Sequence, residues 1–246
     1  LDAAEPLYRR ALAITEKSLG LDHNQTGLIL CNLADLLENR GDLEAAEPLY
    51  RRSLAITKQA LGLDHPRTGA LLSHLAILLE NKGDLEAAEP LYRRALEIRE
   101  RALGPDHPHT AMSLNNLADL LENKGDLESA EPLYSREITI NEKNLGPDHP
   151  GLARDLQNYG VLLRSLERYD EALDILNRAL AINEENAGLD SEEVASTLSA
   201  LGKLFELQEQ YEDSQQAYTR AIAIRENLVG PLRPDTARPY FLLGSL

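Results

Sequence analysis

One eleven-residue segment, Asp42-Leu43-Glu44-Ala45-Ala46-Glu47-Pro48-Leu49-Tyr50-Arg51-Arg52, recurs identically from Asp84 to Arg94, a period of 42 residues. It recurs nearly unchanged from Asp126 to Arg136 and in part from Leu1 to Arg10. Leu61-Gly62-Leu63-Asp64-His65-Pro66 keeps the same period as Leu103-Gly104-Pro105-Asp106-His107-Pro108 and Leu145-Gly146-Pro147-Asp148-His149-Pro150. A fixed period of this size means that each repeat is one supersecondary unit, unable to bury its apolar face alone and stacked on its neighbours. The period divides 1–246 into a single array: a half repeat 1–26, full repeats 27–68, 69–110, 111–152, 153–194 and 195–236, and a partial repeat 237–246. The last full repeats drift in sequence but not in length.

Each repeat reads as two helices. Leu114, Leu117, Ala118 and Leu121 have the 3-4-3 spacing of one apolar stripe, as do Leu30, Leu33, Ala34 and Leu37. Gly125 breaks the first helix and Asp126 caps the second, which carries Leu127, Ala130, Leu133, Tyr134, Ile138 and Ile140 and runs to about Asn144. Gly146 suits a left-handed C-terminal cap, and Pro150 restarts the next helix where its missing N–H costs least. Pro48, Pro90 and Pro132 fall inside the second helices, where a proline forfeits a hydrogen bond at a cost of roughly 3 kcal/mol. Their recurrence in phase keeps the helix, with a bend expected near each and the carbonyls of Glu44, Glu86 and Glu128 left to water.

These residues resemble the tetratricopeptide repeat. The family's small residue of the first helix falls at Ala34, Ala76, Ala118, Gly160 and Gly202. Its alanine of the second helix falls at Ala46, Ala88, Ala130 and Ala172, with Ser214 departing, and its aromatic at Tyr50, Tyr92, Tyr134 and Tyr218, with Leu176 departing. A later small residue falls at Ser53, Ala95, Ala179 and Ala221, where Glu137 breaks the pattern. The period of 42 rather than the usual 34, with Leu114 to Ala118, Ala88 to Ile98 and Leu103 to Pro108, is similar to the repeat domain of kinesin light chains and bacterial proteins built from the same unit. The resemblance implies an all-α fold, a right-handed superhelical α-solenoid of helix-turn-helix repeats whose first helices line a concave groove. It also implies an adaptor that binds peptides.

On the first helices a second stripe, distinct from the core stripe, predicts the groove lining. It runs Leu28, Asn32, Asp35, Asn39; then Ala70, His74, Ile77, Asn81; then Met112, Asn116, Asp119, Asn123; then Arg154, Asn158, Val161, Ser165; then Ser196, Ala200, Lys203, Leu207. Asn32, Asn116 and Asn158 share one register, with His74 and Ala200 in the same place in their repeats. An asparagine offers one acceptor and two donors, enough to bridge both sides of an extended backbone. In the similar arrays of O-GlcNAc transferase such a ladder does this. Alternatively each asparagine ties its helix to the next repeat. Asn115, Ser73 and Gln157 flank the groove. Asp35, Glu38, Glu80, Asp119 and Glu122 make the first three repeats acidic, whereas Arg154, Arg164 and Lys203 lie in the fourth and fifth. A ligand basic or neutral at one end and acidic at the other is expected, or else the charges are ordinary solvated ones.

Other chemistry is not supported. The net charge of −16 opposes nucleic acid and anionic lipid as partners, and no apolar run is long enough to span a membrane. Cys31 is the only cysteine, so no internal disulfide or four-thiolate zinc site forms, which fits a cytoplasmic location. It reads as a small packed residue. His23, His65, His107 and His149 sit one per repeat and do not converge as metal ligands must, so they read as helix caps. No nucleotide-binding, metalloprotease or nucleophile-elbow motif occurs, so no cofactor and no catalysis is expected. Three functions remain open: a groove for a protein or peptide segment, an array that assembles end to end through Leu7, Leu12, Phe241 and Leu242, and the recognition half of a larger signalling protein or enzyme.

Overall fold

The computed structural model describes residues 4–229; Phe241 and Leu242 lie outside them. The described residues form α-helices joined by short turns, with no strand among them: α1 Ala4–Leu19, α2 Asn24–Glu38, α3 Leu43–Leu61, α4 Pro66–Asn81, α5 Leu85–Leu103, α6 Pro108–Asn123, α7 Leu127–Leu145, α8 Pro150–Ser165, α9 Tyr169–Ala187, α10 Glu192–Leu207 and α11 Tyr211–Val229. The chain divides into two compact units, Leu1–Lys124 with α1 to α6 and Gly125–Leu246 with α7 to α11. Within each unit, helices adjacent in sequence pack together, giving an all-α repeat solenoid.

The turns explain why the period is so regular. His23, His65, His107 and His149 each accept the N–H two residues on through Nδ1, at 3.0–3.1 Å, and so cap the first helices. Thr26, Thr68 and Thr110 donate back to Gly20, Gly62 and Gly104 at 2.8–2.9 Å, tying each loop to the helix that leaves it. Asp42, Asp84 and Asp126 cap the second helices. Gly146 departs from the expected left-handed cap: its φ of 94° comes with ψ 158°, an extended backbone at positive φ that is essentially open only to glycine. Gly62, Gly104 and Gly188 share that conformation.

Pro48, Pro90 and Pro132 lie within unbroken helices. All are exposed, as are Glu44, Glu86 and Glu128, so the forfeited hydrogen bond is on the wet side.

The core stripe is where the spacing placed it: Leu30, Leu33, Ala34 and Leu37, and Leu114, Leu117, Ala118 and Leu121, are all buried. The first helices bury more than that stripe, however. Leu36, Leu78 and Leu120 are also buried; α2 and α4 are each packed by second helices on both sides, α1 and α3 for the one and α3 and α5 for the other. In Gly125–Leu246 the hairpins close tightly. A Cβ on Gly160 would lie 2.7 Å from Leu176, and one on Gly202 would lie 2.7 Å from the Tyr218 ring. Glu137 is buried at 3% exposure, at the small-residue position its repeat departs from.

Two substitutions test this account by urea unfolding. Gly202→Ala gains about 1 kcal/mol of helix propensity but forces a buried ring to move at about 1–3 kcal/mol, so the midpoint falls. Gly104→Ala, facing open space, lowers stability by about 1–3 kcal/mol through backbone strain alone. An unchanged midpoint for Gly104→Ala would show that the loop relaxes freely.

Candidate functional site

In Leu1–Lys124 the predicted stripe lies on the face of α2, α4 and α6. Leu28, Ile77 and Met112 are exposed there at 39%, 36% and 45%, large apolar groups left in water among polar ones. Beneath them runs a relay that begins in the core. The Tyr50 and Tyr92 rings are buried, yet their hydroxyls emerge to donate to Glu38 at 2.7 Å and Glu80 at 2.9 Å, each twelve residues back. Burial, then the neighbouring carboxylates, push both phenols far above their usual range. Asn81 donates to Glu38 at 3.1 Å and Asn123 to Glu80 at 3.0 Å, each from the following repeat. The same tyrosine–glutamate pair occurs in Gly125–Leu246 between Tyr218 and Glu206, at 3.4 Å. Where Leu176 replaces the tyrosine, the position twelve residues back is Arg164.

The predicted asparagines therefore separate into two kinds. Asn81 and Asn123 brace neighbouring repeats, and Asn39 donates to the Asp35 carbonyl of its own helix at 2.7 Å. Asn32, Asn116 and Asn158 are half-buried, and among the described residues none has a hydrogen-bond partner for its side chain. Asn115 and Asp119 are half-buried. Gln157 bridges Ser196 and Thr197 of the next repeat in its unit, and Ser73 bonds the Gly69 carbonyl. Arg154 is exposed, Lys203 pairs with Glu206 at 2.8 Å, and Ala200 is buried in a core cluster with Leu163 and Leu201. Leu7 is exposed and Leu12 half-buried on α1.

His74 does not act as a plain substitute for asparagine. Its Nδ1 lies 3.0 Å from Asp35 Oδ1, which also accepts from Tyr50 at 2.5 Å. The hydrogen bond to Asp35, helped by Cys31, raises His74 to about 10. Burial pushes the Asp35 carboxyl up, but the bonds from His74 and Tyr50 outweigh it and hold the group below its usual value. Cys31, read from the sequence as a small packed residue, is half-buried, with Sγ 3.9 Å from Asp35 Oδ2. The sequence reading named no partner for Cys31. The available signal was that Cys31 and Asp35 are one helical turn apart and that Asp35 and His74 already shared the predicted face.

No curated protein matches the chain. A family model described as tetratricopeptide repeat matches residues 1–59, 25–100, 67–143, 114–185 and 187–246. The chain is similar to the crystal structure of BtubC (BKLC) from P. vanneervenii, at 25% identity and TM-score 0.79 over 93% of this chain and 91% of that one. It shares its fold with a putative kinesin light chain of nearly identical TPR-like repeats from Podosopora anserina, at 20% identity and TM-score 0.75 over 84% and 98%. It also shares it with YrrB, described as a TPR protein with an unusual peptide-binding site, at 17% identity and TM-score 0.58 over 90% and 96%. No helix among the described residues is long and apolar enough to cross a membrane. The chain belongs to the tetratricopeptide-repeat family and is of its kinesin-light-chain-like type.

Proposed function

We propose that the chain is a non-catalytic interaction module and that the face of α2, α4 and α6 in Leu1–Lys124 holds an extended segment of a partner protein. The observation that carries this is the contrast among asparagines. Asn39, Asn81 and Asn123 are engaged within the fold, whereas the half-buried amides of Asn32 and Asn116 have no partner among the described residues. Such an amide offers donors and an acceptor matched to a peptide backbone. Leu28, Ile77 and Met112 supply apolar contacts beside them.

Charge favours a segment with basic side chains over this unit. Glu38 and Glu80 are hydrogen-bonded by neutral groups, tyrosine hydroxyls and asparagine amides, so their negative charge remains to attract a cation. In Gly125–Leu246, Asn158 and the exposed Arg154, one turn apart on α8, suit an acidic or carboxylate-bearing segment. That YrrB, with the same fold, has a peptide-binding site supports the class of ligand but not its sequence. Of the alternatives, end-to-end association rests on Leu7 and Ile14, exposed seven residues apart on α1; the parent-protein reading is compatible with any of these surfaces.

A peptide-display selection on the chain, repeated with Asn32→Ala/Asn116→Ala, tests the proposal. The wild type should enrich a motif with basic and apolar positions. The double variant, at unchanged helicity, should bind it roughly tenfold or more weakly, two hydrogen bonds at about 0.5–1.5 kcal/mol each. Equal binding by the variant contradicts the reading. Sedimentation across a concentration series, with a size that grows and that Leu7→Glu abolishes, would favour the end-to-end array.

A further inference from the structure

Cys31, Asp35 and His74 bring a sulfur, a carboxylate oxygen and a ring nitrogen to within 4.8 Å of one another, the single such group of three among the described residues. Cys31 and Asp35 are one turn apart on α2, so their side chains lie one above the other, and His74 reaches them from α4. The Asp35 carboxylate approaches both partners, Oδ2 to Cys31 Sγ at 3.9 Å and Oδ1 to His74 Nδ1 at 3.0 Å, and one ligand atom from each of the three residues lies within 4.8 Å of the other two. Ligands at zinc distances of about 2.0–2.3 Å in a tetrahedron stand ~3.3–3.7 Å apart. The remaining closure is on the order of 1 Å, within the reach of χ rotation for side chains that are half-buried rather than locked in the core.

Two further observations set this cluster apart from the structural relay. The first is that it does not repeat. The equivalent residues are Ser73, Ile77 and Asn116 one period on, then Asn115, Asp119 and Asn158, then Gln157, Val161 and Ala200. A brace that the stack required would recur with the stack, as the tyrosine–glutamate pair does. The second is an outer partner already in place. The Tyr50 hydroxyl lies 2.5 Å from Asp35 Oδ1 and 2.7 Å from Glu38 Oε2 and so fixes the orientation of the Asp35 carboxylate, as outer partners of metal ligands commonly do.

We propose that Cys31, Asp35 and His74 form a zinc-class metal site with a fourth position open to water or to a side chain of a bound partner. The mixed sulfur, nitrogen and oxygen donor set suits zinc over magnesium or calcium, which take oxygen ligands. On binding, the Cys31 thiol and the His74 imidazolium each release a proton to solvent. The ion is then held by thiolate, carboxylate and neutral imidazole.

Cobalt(II) titration of the reduced chain tests this, because Cys31 is the only cysteine and any thiolate-to-cobalt charge-transfer band reports it alone. The band should saturate at one cobalt per chain and disappear when zinc is added. It should be abolished by Cys31→Ser, and its apparent affinity should fall at least tenfold in Asp35→Asn and in His74→Ala, at helicity confirmed by circular dichroism. Gln59→Ala, exposed on α3 and outside the cluster, should leave it unchanged. Should a variant lose its helicity, the wild type alone decides: stoichiometric zinc should slow alkylation of Cys31 at least tenfold. No band, a band of unchanged affinity in His74→Ala, or alkylation indifferent to zinc overturns the proposal.

Discussion

The close approach of the two helices in each hairpin is the constraint from which the rest of the fold follows. It admits only a small residue on the first helix opposite a large one on the second, as at Gly160 against Leu176 and Gly202 against Tyr218. A tyrosine ring buried in this way has to lead its hydroxyl to a partner. It does so at the first-helix face, where Glu38, Glu80 and Glu206 accept from Tyr50, Tyr92 and Tyr218. The glutamates in turn collect Asn81 and Asn123 from the following repeats. Core packing thus specifies the polar lattice of the face, and what that lattice leaves unused is available for other work.

That leftover set is small. Asn32 and Asn116, the exposed Leu28, Ile77 and Met112, and the charge of Glu38 and Glu80, bonded only by neutral groups, compose the surface proposed to take an extended, basic segment. The Cys31, Asp35 and His74 cluster lies at one position along the same face and nowhere else in the repeat pattern. A repetitive framework makes such departures conspicuous, because every other repeat shows what the stack alone requires.

Much of this was legible in the sequence, for reasons that differ by level. The helices and core stripe followed from a strong 3-4-3 spacing repeated in phase, and the histidine caps followed from their place before each helix. The ψ of Gly146 did not follow, because a positive φ can be read from glycine but its partner angle depends on where the next helix must begin. The role of each asparagine was also hidden. Asn32 and Asn81 both lie on the stripe in different registers, and spacing alone does not show that the Asn81 register reaches a glutamate one repeat back. The place of Cys31 beside Asp35 and His74 was hidden because its neighbours come from two helices, a conjunction that spacing within one helix does not display.

The most direct measurement follows the side-chain amide resonances of Asn32, Asn116, Asn81 and Asn123 as a selected peptide is added. The account predicts that Asn32 and Asn116 shift and gain protection from exchange while Asn81 and Asn123, already bonded to Glu38 and Glu80, stay in place. Movement of the bracing pair with Asn32 and Asn116 silent would contradict it.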